Sequence, residues 1–487
     1  FSKTNRPKRP GAYFNFQALA TPTIQPSAAG TVCIPLTHDW GPYKTPTYIS
    51  SLAEWVAVFG PTTTAAGYKA VYQACMGEGL PGRGGAGRIL VYRNGGSSAA
   101  KATYSVKQTN GTTPALVVNA RYEGAYGNNL SVTVEQTPGA ATNDLVLKLN
   151  GVEVERYTHA LTDITALGAA VNLSSSWVTC TVSQSGTALE RTTNSLASGA
   201  NGTTTLAAAD YAAALSAVEP YRFGVFAYSD LQEQALSGGA TATDLLASHK
   251  TWAVALNAAG KRFLTVVGGA LDEVVATAVA RSATLNSSDH VNIGVGGVVD
   301  SQLGVLSTSQ LSSRIAGILA AFGEDRSLTF ARLAGVTARN FCTSAQILTA
   351  YDGGVCVLSL DSVADAPVRI EKGLTTYLSG DSNKPYLIYR NPKYVRTTHG
   401  IETELTEWAE ANVIGQLATN ENTTTYVVAH AKSVIAARET AGVLQPGSTV
   451  GIDQDPPPND TDEFLQLAYG VKFGRSIEQV FNTVTIS

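Results

Sequence analysis

The hydrophobic period changes several times along this chain. Leu52, Trp55, Val56 and Phe59 recur at helical spacing, and Gly60-Pro61 ends that helix. Thr31 to Leu36 ahead of it and Ile89 to Tyr92 behind it read as strands, with a less clear helical repeat over Gly67 to Gly79 between them. From Gly95 to about Asn201 short alternating runs take over, separated by Gly, Ser, Thr and Asn. Leu145 to Leu149 and Val152 to Glu155 flank Asn150-Gly151, which supplies the positive φ angles of a type I′ turn and so predicts a hairpin. Leu130 to Glu135 and Trp177 to Val182 are further strands. Gly95 to Ser98 and Ser198 to Gly202 mark the edges of a β-rich insertion.

From Ala207 the pattern alternates strands with helices. Strands are expected at Tyr221 to Ala227, Phe263 to Val267 and His290 to Val295, and helices at Ala242 to Ala258 and Leu271 to Leu285. That alternation predicts a parallel sheet covered on both faces. Ser307 with Gln310 forms a capping box ahead of Leu311, Ile315, Ile318, Leu319 and Phe322 on one stripe. A last α/β unit runs from Thr343 to about Gln454. It has strands at Val355 to Leu360 and Tyr386 to Tyr389, and helices lined by Ile401, Leu405 and Trp408, then by Val427, Val428, Ala431, Val434 and Ile435.

Two terminal strands lack an obvious internal partner. Tyr13, Phe14 and Phe16 form a short aromatic strand in a basic, proline-punctuated stretch. At the other end, beyond three consecutive prolines at 456 to 458, Val480, Phe481, Val484 and Ile486 belong to a β-branched run. A strand must pair its backbone groups. Each of these either closes a sheet of its own chain or is donated to another molecule.

The 487 residues are too many for one ordinary core, so two to four domains are expected. Only 15% are charged, against about a quarter in typical chains, which suits a surface hidden in an assembly. A net charge of −4 argues against direct nucleic-acid binding, and no apolar run is long enough for membrane insertion. No signal peptide is read in the first thirty residues. Five cysteines, scattered singly, favour a reducing compartment over a disulfide framework or zinc site.

No chemistry of a recognised kind is encoded. Gly82 to Gly87 precedes a strand, the wrong order for a dinucleotide fingerprint, and Gly260-Lys261 lacks the rest of a P-loop. The six histidines are too dispersed for a metal site, so catalytic, cofactor-binding and metal residues are each read as none. Asp230, His249 and any of many serines make a triad only on paper. Glu402, Glu404, Glu407 and Glu410 form an acidic helix face, which is either solvated or meets a basic partner surface.

Five stretches carry a resemblance. Arg9-Pro-Gly-Ala-Tyr-Phe-Asn-Phe16 resembles the N-terminal arm of contractile phage tail sheath proteins, a family also found in tailocins and injection systems. Asn119-Ala-Arg-Tyr-Glu-Gly-Ala-Tyr-Gly-Asn-Asn-Leu130 is similar to the entry of their inserted β domain, and Ile315 to Ala320 with Arg326 to Leu328 to the end of their subtilisin-like domain. Val368-Arg-Ile-Glu-Lys-Gly-Leu-Thr-Thr376 and Ile477 to Ile486 resemble two further family stretches, with Leu374 and Thr375 departing from the usual Ile and Asn.

The resemblance implies an α/β multidomain fold. An N-terminal arm (1–25) precedes a discontinuous subtilisin-like sheath domain (26–95 and 207–340) with an inserted outer β-rich domain (96–206). A C-terminal α/β core domain (341–463) and a C-terminal strand arm (464–487) follow. It also implies a non-enzymatic structural subunit without cofactors. Such a subunit stacks in hexameric layers around a tube protein, pairs arms with its neighbours by strand addition, and contacts baseplate and tail terminator proteins. Contraction then drives the tube through a host envelope for genome delivery. The place is the virion tail sheath, and the host cytoplasm during assembly. The sheath of a non-viral machine and an α/β hydrolase remain the other readings.

Overall fold

In the computed structural model, which describes residues 30–81, 83–136, 142–232, 234, 236–360, 368–379, 385–418, 421–452 and 467–474, an eight-stranded sheet runs through the middle of the molecule. Its order is Val368–Ile370, Val355–Leu360, His290–Gly294, Leu264–Gly268, Val225–Ala227, Thr31–Thr37, Arg88–Asn94, Thr47–Ile49. The inner strands are parallel, and only the outermost pair at each edge is antiparallel. Every residue of Thr31–Thr37, Leu264–Gly268 and His290–Gly294 is buried, as strands covered on both faces require.

Alternation along Thr31–Thr37 divides the core. Val32, Ile34 and Leu36 face the helices Leu52–Phe59, Ala66–Met76 and Thr308–Ala321. Cys33 faces the other side, where Ala208–Val218 and Ala242–Ala258 pack. The Thr308–Ala321 helix is buried almost all round. Ser307 Oγ accepts from Gln310 N at 3.1 Å and Gln310 Oε1 accepts from Ser307 N at 3.2 Å, the reciprocal box read in the sequence. Arg314, fully buried on this helix, donates through Nε to Gly77 O and through Nη2 to Ala334 O, each at 2.6 Å.

Between Gly95 and Gly202 the chain leaves the sheet and builds two antiparallel four-stranded sheets. One has the order Thr192–Ser195, Leu130–Gln136, Thr142–Leu149, Val152–Ala160. The other runs Ala200–Asn201, Ala99–Lys107, Pro114–Glu123, Val178–Val182. Asn150 (φ 50°) and Gly151 (φ 83°) make the expected hairpin turn. Gly96 N donates to Gly202 O at 3.0 Å and closes the neck of the excursion.

Three elements differ from the sequence reading. Tyr386–Tyr389 is a turn of helix instead of a strand, because four apolar residues carry no period of their own. Ile388 N and Tyr389 N both bond Pro385 O at 3.1 Å, and the 21-residue Pro392–Asn412 helix follows directly. The helix expected from Leu271 starts only at Val275, since Val274 is extended and Glu273 turns its carboxylate to Arg281. The strand expected over Tyr221 to Ala227 is reduced to Val225–Ala227. In addition, Val355–Leu360 pairs in parallel with His290–Gly294, so the main sheet continues past residue 341. The whole is a mixed α/β molecule with several sheets and more than one core.

Candidate assembly interfaces

The end of the described chain has a small core of its own. Ile401, Ala431, Ile435, Leu444 and Val450 are buried together, with Leu405, Leu467, Val471 and Phe473 packed around them. This core joins Pro392–Asn412 and Glu421–Thr440 to a two-stranded antiparallel sheet of Thr449–Ile452 and Leu467–Gly470, in register from Thr449 opposite Gly470 to Ile452 opposite Leu467. Among the described residues neither strand has a third neighbour in that sheet, and Ala468, Tyr469 and Gly470 are exposed. Nothing in the sequence pattern signalled this pairing, because the two strands are only four residues each and 14 positions of sequence, three of them consecutive prolines, lie between them.

The acidic face of Pro392–Asn412 is engaged inside the chain. Glu402 pairs with Arg262 at 2.6 Å, and Glu404 with Arg438 at 2.7 Å. Glu407 pairs with Arg222, and Glu410 lies 3.7 Å from the same guanidinium. Arg438 also grips Glu324 with both Nε (2.8 Å) and Nη2 (3.0 Å). Burial alone would lower the Arg438 pKa, and the hydrogen bonds to Glu324 and Glu404 outweigh it and raise it. The role of Arg438, Arg222 and Arg262 was invisible in the sequence, because each lies far along the chain from its carboxylate.

The β-rich insertion is attached differently. Trp40, from the body, is buried in the insertion's core against the rings of Tyr122, Tyr126 and Trp177, at 5.4 to 5.8 Å between centroids. Fully buried Arg93 donates to His38 O (3.0 Å), Gly41 O (2.8 Å) and Glu123 O (2.7 Å), so one side chain ties the body to the insertion. Burial lowers its pKa to about 10, which leaves it charged at neutral pH.

The polar residues of the paper triad are separately occupied. Asp230 Oδ2 accepts from Thr37 N (2.9 Å) and Thr37 Oγ1 (2.8 Å), while His249 faces His290. His399 pairs with Asp289 at 3.2 Å and His430 stacks on Trp408 at 3.8 Å. All five cysteines are free thiols. The arm residues Tyr13, Phe14, Phe16, Val480, Phe481, Val484 and Ile486 lie outside the described residues.

No protein-family sequence profile and no curated protein sequence matches the chain. Its three-dimensional structure has clear counterparts. The class they define is that of tail sheath proteins. A sheath tail protein from Desulfitobacterium hafniense aligns with TM-score 0.70 at 19% identity, over 95% of this chain and 100% of that one. One from Listeria innocua aligns at 0.65 and 19%, over 92% and 96%. The helical sheath of the anti-feeding prophage in its contracted state aligns at 0.54 and 12%, over 98% and 99%. This chain therefore has the sheath-protein fold along nearly its whole length, as its five sequence stretches led one to expect.

Proposed function

We propose that this chain is the structural subunit of a contractile tail sheath, built as stacked hexameric layers around an inner tube and seated on a baseplate. The observation that carries the reading is the likeness to sheath proteins over 95% of this chain and all of the Desulfitobacterium protein, insertion and C-terminal unit included. The main α/β body takes the role of the subtilisin-like sheath domain, as a scaffold and not a protease. Support for a non-enzymatic body is that Asp230, the acid a triad would need, is bound to Thr37.

The arms, 1–25 and 464–487, carry the connections between subunits. The two-stranded sheet Thr449–Ile452 and Leu467–Gly470 is the natural receiver, because an isolated pair of strands is marginal in water and gains from a third. Strands Tyr13 to Phe16 and Val480 to Ile486 of neighbouring subunits are the donors. Backbone pairing of this kind keeps the lattice connected while subunits slide past one another. Free energy stored at assembly then drives the tube, through partners that include the tube and terminator proteins. The setting is a virion tail, with genome delivery as the outcome. Sheaths of the anti-feeding prophage and of an extracellular contractile injection system share the fold, so a non-viral machine is the second reading.

Negative-stain electron microscopy of the full-length chain beside a version ending at Gln479 tests the proposal. Hollow tubes or rings from the first and monomers from the second support donated arms. Monomers from both, with or without added tube protein, would sink it.

A further inference from the structure

The two units attached to the body are held by different physics. The β-rich insertion is fastened by buried aromatic rings and by Arg93. Among the described residues, the C-terminal unit enters the main core at the start of its first helix, where Tyr394, Val395 and Thr397 are buried, Val395 joins that core and Arg396 donates to Phe322 O. Beyond Ile401 that helix parts from the body. A cleft of about 180 Å³ separates them, floored by Phe223, Leu256 and Phe263 and faced by Thr403 and Thr406.

Charges bridge this cleft. Arg262–Glu402, Arg222–Glu407 and Arg222–Glu410 span it, and Arg438–Glu324 joins the second helix to the body beside it. Arg222 (61%) and Glu410 (56%) are the most exposed of these side chains, Glu402, Glu407 and Arg262 are intermediate, and Arg438 and Glu324 are largely buried. The exposed Arg222 pairs contribute little each and are screened by salt, unlike the insertion's buried contacts.

We propose that the C-terminal unit is a movable body that rocks about its Tyr394–Thr397 anchor, held closed by an ionic latch across the cleft. Opening exposes Leu256 and Phe263 and breaks no apolar core, because the unit keeps its own. The insertion does not share this freedom. The inference stands on an isolated subunit and does not depend on how the chain assembles.

Full-length protein carrying Leu256→Cys tests the latch, by thiol labelling resolved peptide by peptide in mass spectrometry. Leu256 is buried at 7% exposure on the cleft floor. The native, partly exposed Cys342 serves as reference for the effect of salt on the chemistry itself. Relative to Cys342, labelling at 256 is expected to rise roughly tenfold between about 0.05 and about 1 M salt. Adding Arg262→Glu is expected to raise it at low salt, and adding Glu402→Arg to that variant to bring it back. Labelling that ignores salt overturns the proposal, and it needs no second variant to fold. So does a reversed pair that fails to restore protection while circular dichroism shows the fold intact.

Discussion

His249 and His290 meet edge to face inside the body, Nδ1 of the first 3.4 Å from Nε2 of the second. Both are fully buried, and the rings of Phe226, Tyr228 and Trp252 close around His249 at 4.7 to 5.4 Å. Burial lowers both pKa values, to about 4 for His290, with Asp289 pulling back up and Lys250 pushing further down. The His290 charge also lowers His249. The pair is therefore carried neutral, and protonating it in place is costly.

The first prediction follows from linkage. An unfolded histidine binds its proton near pH 6.5, so below that the unfolded state holds protons the folded state refuses. The pair's contribution to stability is fully present above about 6.5 and is lost progressively as pH drops toward 4. Melting temperatures measured from pH 7 to pH 5 should fall less steeply for His249→Phe, which keeps an aromatic ring in an aromatic pocket. Parallel slopes in parent and variant would show that this pair does not refuse its protons.

Asp230 carries the opposite sign. Burial raises its pKa above 3.8, against the pull of the Thr37 hydrogen bonds. As pH rises, the unfolded carboxyl ionises first, so stability declines from about pH 4 up through the folded pKa. Asp230→Asn removes that loss and retains an acceptor for Thr37. Its melting temperature at pH 8 should equal or exceed the parent's. A clear drop would mean that the fold uses a charged carboxylate here.

Arg93 concentrates three bonds between body and insertion in one side chain. Arg93→Met fills a similar volume but leaves the carbonyls of His38, Gly41 and Glu123 without this donor. A loss of about 3 kcal/mol or more in urea unfolding is expected, at roughly 1 kcal/mol or more per unpaired carbonyl. A loss under about 1 kcal/mol would mean that the loops re-pair without it.

Local pattern made much of the body legible. The Ala242–Ala258 helix, the Ser307 capping box and the Asn150-Gly151 turn are each specified by a few adjacent residues, and the structure has all three. What the pattern concealed is long-range. Val355–Leu360 reads correctly as a strand, but only tertiary packing assigns it to the main sheet. Glu402 to Glu410 read as a solvated stripe or a surface for a partner, because Arg222 and Arg262 sit some 180 and 140 residues earlier. Tyr386–Tyr389 was too short for periodicity to decide.

The last prediction concerns Gly317, which lies inside a stretch that resembled the sheath family. A Cβ built there meets Ala74 O at 2.2 Å, Ala74 C at 2.9 Å and Ala74 Cα at 3.0 Å. All three are backbone atoms of the Ala66–Met76 helix, so no side chain can rotate away. In an exposed helix, glycine to alanine gains about 1 kcal/mol through propensity. Here the crossing with Thr308–Ala321 must widen, and both helices sit in the main core. Overpacking of this kind costs about 1–3 kcal/mol, so Gly317→Ala should destabilise. Gly451→Ala, whose Cβ meets nothing within 4 Å, is the control and should stay near the parent in denaturant unfolding. Stabilisation by Gly317→Ala would show that the two helices have room to separate.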